Sequence, residues 1–122
     1  MSDWPPATLD ALEGDEVRFA SYRPDGTLRP FVRIWFVRSG DELFVRSAYG
    51  PDNGWYRRAL ASGAGRIRGT RWEGDVQVEP SDDEASAISD AYRAKYGRYP
   101  PGIVATVLTP DAERCTLRLR PR

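Results

Sequence analysis

A chain of 122 residues is the size of one ordinary domain, and 40% hydrophobic residues with four Trp, six Tyr and four Phe supply the apolar surface to fold it. Eighteen basic residues balance eighteen acidic ones, which removes the usual electrostatic case for nucleic-acid or membrane binding. With no His and one Cys, the chain cannot build a Ser-His-Asp or Cys-His nucleophile, a His- or thiolate-based zinc site, or an internal disulfide. Catalysis is left to a borrowed cofactor or to carboxylates, Tyr and Arg. No stretch reads as a secretory signal, and none approaches the roughly 20 apolar residues that span a bilayer. The expectation is one cytoplasmic domain over residues 1–122, with no membrane and no nucleic-acid partner.

Thr8 is placed to cap a short helix carrying Leu9 and Leu12 that ends at Gly14 and plugs one end of the fold. From Asp15 the pattern is extended: Val17, Phe19 and Ser21 alternate with Arg18, Ala20 and Tyr22, up to the turn signal Pro24-Asp25-Gly26. Arg29 to Val37 reads as one long strand, Val32, Ile34 and Phe36 on one face and Phe31, Arg33, Trp35 and Val37 on the other. Ser39-Gly40 turns the chain into a third strand, Glu42 to Ala48, with Leu43, Val45 and Ser47 opposite Phe44 and Arg46. Trp55 to Ser62 reads as a helix stopped by Gly63 and Gly65, and Arg66 to Thr70 and Asp75 to Glu79 as a hairpin across Arg71-Trp72-Glu73-Gly74. A second helix carries Ala85, Ile88, Ala91 and Tyr92 at helical spacing, with Ser81 and Glu84 as a capping box and Gly97 beyond its end. Ile103, Val104, Val107 and Leu108 are spaced for a helix but rich in β-branched residues, so residues 101–109 stay open between helix and strand. Thr116 to Arg120 is the closing strand. Five or six short strands at hairpin spacing, with one helix midway and one before the last strand, predict an antiparallel barrel with helices packed outside it.

A turn of two or four residues at Ser39-Gly40 sets Trp35 against Phe44, Ile34 against Val45 and Arg33 against Arg46. Like charges directly opposite in a hairpin repel unless an anion or a carboxylate lies between them. Two readings stay open: an anion-binding patch beside a stacking surface, or two Arg paired with Asp or Glu from a helix or a dimer mate. The loop from Ser47 to Gly54 then runs into Trp55-Tyr56-Arg57-Arg58, where glycines permit close backbone approach and the helix offers unpaired N–H groups to a phosphate. Equally, Asp52 or Asn53 caps that helix and Trp55 belongs to the core.

The succession of the Arg23-Pro24-Asp25-Gly26 turn, RPFVRIWFV, ELFVRSAYG, the GWYRRAL helix, a helix ending AKYG and the closing TLRLRPR resembles an uncharacterised bacterial family, domain-of-unknown-function family 2255, over nearly the whole chain. That family stands among the FMN-binding split barrels, with a more distant similarity to deazaflavin-dependent nitroreductases. The resemblance implies a mainly β fold with helices, a split antiparallel β-barrel of about six strands with two or three packed helices. It further implies that Arg29 and Arg33, with Ser47, Ala48, Tyr49 and Gly50, contact a flavin phosphate or ring. The basic turn is shorter here than in the nitroreductase relatives. On this basis the chain is expected to be an oxidoreductase using FMN or a deazaflavin. Arg33, Arg46 and Arg57 would clamp phosphate, Ser47 and the Tyr49-Gly50 backbone would bond the cofactor, Trp35 and Trp55 would form the wall, and Tyr56 would donate a proton. The alternative is a non-enzymatic small-ligand or homodimeric interaction domain, because Trp and Arg suit interfaces as well as ligand walls.

Overall fold

The computed structural model describes residues 4–81 and 83–122. In chain order the elements are α1 (Pro6–Ala11), β1 (Val17–Ala20), β2 (Val32–Ile34), β3 (Phe36–Ser39), β4 (Glu42–Arg46), α2 (Gly54–Ser62), β5 (Ala64–Arg68), β6 (Glu73–Pro80), α3 (Ala85–Tyr96), α4 (Pro101–Val104), a 3-10 turn at Ala105–Val107, α5 (Pro110–Arg114) and β7 (Thr116–Pro121). The strands form one antiparallel sheet in the order β2-β1-β5-β6-β7-β4-β3. Its two edge strands, β2 and β3, are neighbours in the chain and are separated by Trp35 alone, so the sheet curls into a nearly closed barrel split at that residue. The fold is mainly β with helices packed outside.

The run predicted as one strand over Arg29–Val37 is two. Val32 and Ile34 pair with Phe19 and Val17 of β1, whereas Phe36 pairs with Val45 of β4. Each half follows the strand that supplies its ladder hydrogen bonds, and the change of partner falls on Trp35. The alternation survives the break: Val32, Ile34 and Phe36 all pack into the barrel interior, with Phe19, Leu43, Val45, Ile67, Leu117 and Leu119. Val37 and Phe44 point the other way, into a second cluster with Ile88, Tyr92 and Tyr96 of α3 and with Val104 and Val107. Strands β3 and β4 are therefore apolar on both faces, and α3 covers the outer one.

The β3–β4 loop is Gly40-Asp41, with Gly40 at φ 61 and Ser39 paired with Glu42. This moves the register two residues from the expected one: Val37 faces Phe44, and Arg33 lies opposite Arg18 of β1, not opposite Arg46. The β5–β6 loop is likewise shifted, because Arg68 pairs with Glu73. Trp72 then meets Trp4 edge to face, their ring centroids 5.5 Å apart.

Thr8 does not cap α1; Pro6 begins the helix, and Thr8 lies inside it with its N–H on the Pro5 carbonyl. Leu9 and Leu12 are fully buried under the barrel, as expected of a plug. The Ser81–Glu84 capping box does not form. Ser81 is buried and its Oγ accepts from Arg118, so α3 is held by burial of Ile88, Tyr92 and Tyr96 at i, i+4 and i+8. Residues 101–109 resolve into α4 and the 3-10 turn, with Pro101 in the first turn. No helix among the described residues is long and apolar enough to cross a membrane.

Candidate functional site

Released from both ladders, Trp35 turns its indole onto Tyr96 of α3, and the rings stack with centroids 4.0 Å apart and planes within 5°. Tyr96 is fixed in turn: its hydroxyl accepts from the Phe36 N–H at 3.1 Å and reaches the Asp15 carbonyl at 2.5 Å. Burial holds its pKa well above the ordinary phenol value. Trp35 is thus a rigid flat wall. It borders a cavity of about 390 Å3 whose lining also includes Arg33, Arg46, Ala48, Asn53 and Trp55, and this volume lies within the range of small-ligand pockets.

Arg46, the last residue of β4, is the only buried charged residue among the described residues. Its donors are spent on neutral acceptors: Nε on Thr116 Oγ1 at 2.9 Å, Nη1 on Ser89 Oγ at 2.8 Å and the Val107 carbonyl at 2.9 Å, and Nη2 on the Ala85 carbonyl at 2.9 Å. Burial lowers its pKa, while Tyr92 and Glu113 act the other way. Glu113 is one step removed, accepting from Ser89 Oγ at 3.5 Å, and the Tyr92 ring lies 5.5 Å from the guanidinium carbon. A guanidinium stays protonated at neutral pH, so this wall carries a positive charge with no carboxylate in direct contact.

Arg33 differs. Its side chain is 66% exposed at the mouth and its Nε lies 3.6 Å from Glu16 Oε1, so of the two predicted arginines only this one has an acidic partner. The helix α2 begins at Gly54, and Asn53 in its N-cap position does not cap it. The Asn53 amide instead donates to Ser47 Oγ at 2.8 Å and to the Ala48 carbonyl at 2.7 Å, leaving the first-turn N–H groups without a side-chain cap. Trp55 is half-buried, lines the cavity and meets Phe19 edge to face at 5.7 Å.

Of the predicted site residues, Arg33, Trp35, Arg46, Ala48 and Trp55 meet around this cavity; the others do not line it. Ser47 is buried and its hydroxyl donates to the Gly50 carbonyl. The N–H groups of Tyr49 and Gly50 are occupied by the carbonyls of Thr106 and Ser47, so this backbone shapes the loop. Tyr49 itself sits at φ 66 with its side chain 77% exposed. Arg57 is exposed on α2, and Arg29 lines a separate cleft. Tyr56 points into the core: burial and a hydrogen bond with Cys115 push its phenol up to about 12, which does not suit a proton donor to a cavity it does not line. Glu16, Asn53 and Thr106 line the cavity without having been predicted as binding residues. Thr106 arrives from the segment whose secondary structure local pattern left open.

These observations define a split barrel in which a flat aromatic wall stands beside a buried arginine that has no carboxylate in direct contact. The chain belongs to the family described as an uncharacterized protein conserved in bacteria (DUF2255), whose model matches residues 9–119. No curated protein matches the chain. Among solved structures it is similar to HutZ, the heme storage protein from Vibrio cholerae, at 14% identity and a TM-score of 0.63, covering 100% of this chain and 92% of that one. It is also similar to a conserved hypothetical protein from Mycobacterium tuberculosis, at 11% identity and a TM-score of 0.56 over 98% of this chain and 82% of that one. An F420 reductase matches at 20% identity and a TM-score of 0.55, covering 98% of this chain and 96% of the other. At these identities the likeness is one of fold.

Proposed function

We propose that the Trp35–Arg46 cavity binds FMN or a deazaflavin and that the protein is an oxidoreductase. The observation that carries this reading is Arg46, a buried guanidinium held by neutral acceptors beside a stacked indole. A flat, electron-accepting ring system with anionic character fits such a wall. When bound, the cofactor supplies hydride transfer. Trp35, pinned by Tyr96, orients the ring; Arg46 favours negative charge on it; Arg33 exchanges Glu16 for a phosphate at the mouth; Trp55 and Ala48 exclude water. The F420 reductase supports a deazaflavin. The heme protein of similar fold supports the barrel as a ligand holder, but this chain has no imidazole to offer an iron.

The test is a fluorescence titration of the purified protein with FMN and with a deazaflavin. Saturable binding that is weakened in Arg46→Gln and Trp35→Ala supports the reading, and a colourless protein that binds neither at tens of micromolar ends it.

A homodimer is the second reading. Arg18 of β1 lies opposite Arg33 of β2 on one side and Arg68 of β5 on the other; Glu16 answers Arg33 and Glu73 answers Arg68 within the chain, and a second copy's carboxylate would answer Arg18. An Arg18→Glu variant running at the same size as the parent chain argues against it.

A further inference from the structure

We propose that Trp35 and Tyr99 form a one-electron relay between the Trp35 cavity and a separate surface cleft, with Asp15 as its proton acceptor. The relay returns an electron to a strong one-electron oxidant in the cavity, such as a light-excited flavin or an organic radical, and moves the oxidising equivalent to the surface. It stands whatever the resident ligand is, because it needs only an oxidant within reach of the indole.

Trp35 lines the cavity, and its ring centroid lies 5.2 Å from that of Tyr99. Tyr96 packs against both rings, with centroids 4.0 Å from Trp35 and 6.0 Å from Tyr99. Tyr99 is half-buried and lines a cleft of about 230 Å3 together with Gly97, Pro101, Val104 and Leu108. This cleft shares no lining residue with the Trp35 cavity, so the two rings join two separate openings. Rings in contact exchange an electron without any movement of the backbone.

The proton decides where the oxidised state settles. A phenol that gives up an electron becomes a strong acid, so it is oxidised readily only where its proton has a base to receive it. The Tyr99 hydroxyl donates to Asp15 Oδ2 at 2.9 Å. Asp15 is ionised, because the Arg98 guanidinium and then the Tyr99 hydroxyl hold its carboxyl below the ordinary value. Tyr96 has no such base. Its hydroxyl faces the carbonyls of Asp15 and Phe36, the ring is fully buried, and the Lys95 ammonium lies 5.2 Å from the ring centroid. Burial and the nearby cation both disfavour positive charge on Tyr96. Arg98 likewise stands 4.9 Å from the Tyr99 centroid, but the Tyr99 radical is neutral once its proton has passed to Asp15.

The steps balance. The oxidant takes one electron from Trp35 and leaves an indole radical cation. Tyr99 gives one electron to that cation as its O–H bond breaks and the proton moves to Asp15 Oδ2, so Trp35 is restored, Tyr99 becomes a phenoxyl radical and Asp15 a carboxylic acid. A thiolate reaching Tyr99 from the surface cleft returns the electron and leaves as a thiyl radical, while Asp15 returns the proton.

The probe is free FMN, excited by a short laser pulse in the presence of the full chain, with indole and phenoxyl radicals followed by their absorption. The FMN acts by encounter, so the result does not depend on whether the cavity binds it. In the parent chain, indole radical is expected to decay as phenoxyl radical grows, at one rate that does not change with protein concentration. Tyr99→Phe keeps the ring but has no proton to give: the growth is lost and the indole radical survives at least tenfold longer. Asp15→Asn slows the conversion at least tenfold. Tyr56→Phe, which removes the phenol 6.2 Å from Trp55, leaves it unchanged. No coupled decay and growth in the parent overturns the proposal, as does conversion at the parent rate in Tyr99→Phe or Asp15→Asn, or its loss in Tyr56→Phe. Should Asp15→Asn fail to fold, Tyr99→Phe decides alone.

Discussion

Trp35 lies flat against Tyr96 at 4.0 Å, and this one contact ties the split between β2 and β3 to the last turn of α3. Trp35 both marks the split of the barrel and walls its cavity. Trp35→Ala is expected to weaken ligand binding about tenfold, in line with the roughly 1–3 kcal/mol of a base–aromatic stack, whereas Trp35→Phe keeps most of the affinity. Fluorescence titration of both variants measures it.

Arg46→Lys keeps the charge but replaces a planar fork by a point donor that cannot reach four acceptors drawn from α3, β7 and the segment before α5. Ser89, Thr116 and two carbonyls then lose a charged donor in the interior. The expected loss of stability is about 1–3 kcal/mol, read from urea denaturation, together with weaker binding of any anionic ligand.

Lys95 is the single Lys, and burial lowers its ammonium to about 8, with Glu13 and Asp15 opposing and Arg98 assisting that shift. Its Nζ donates to the Phe36 carbonyl at 2.8 Å. Between about 8 and the ordinary value of 10.5 the unfolded chain holds a proton that the folded one has released, so this group's contribution to stability rises with pH across that window. Below 8 both states are charged and the folded one bears the desolvation. Lys95→Met is therefore expected to be more stable than the parent near neutrality, with the difference shrinking toward pH 10. Denaturation midpoints of both chains across that range check the sign.

Tyr49 occupies the left-handed region at φ 66 while its side chain is 77% exposed and makes no core contact that would repay the strain. Tyr49→Gly is expected to raise stability by about 0.5–1 kcal/mol, the strain relieved less the extra freedom of the unfolded chain, and Tyr49→Ala to gain nothing. If the Tyr49 ring closes over the cavity, ligand affinity falls in both variants while stability rises in the first.

Much of the barrel was legible because strand alternation is local. Val32, Ile34 and Phe36 on one face and Phe44 opposite Val45 follow from a period of two, and the structure keeps both assignments across a break that local pattern does not show. The hairpin register was not legible, since Ser39-Gly40 and Gly40-Asp41 are both acceptable turns and only the ladder to β7 chooses between them. The capping box failed for a related reason: Ser81 is recruited by Arg118, a residue 37 positions away.

By itself the sequence determined the chemistry on offer: no imidazole, one thiol, many arginines, and aromatic residues at strand spacing. It also brought Arg33, Trp35, Ala48 and Trp55 within reach of one another, because two short loops connect them. Only the tertiary structure decided which arginine is the interior one. Arg46 sits on a strand face where exposure to water would be its ordinary fate, and its burial depends on acceptors 39 to 70 residues distant that no local pattern can announce. The same holds for Arg29, whose separate cleft exists because the end of α2 and the Tyr22–Leu28 turn meet in space.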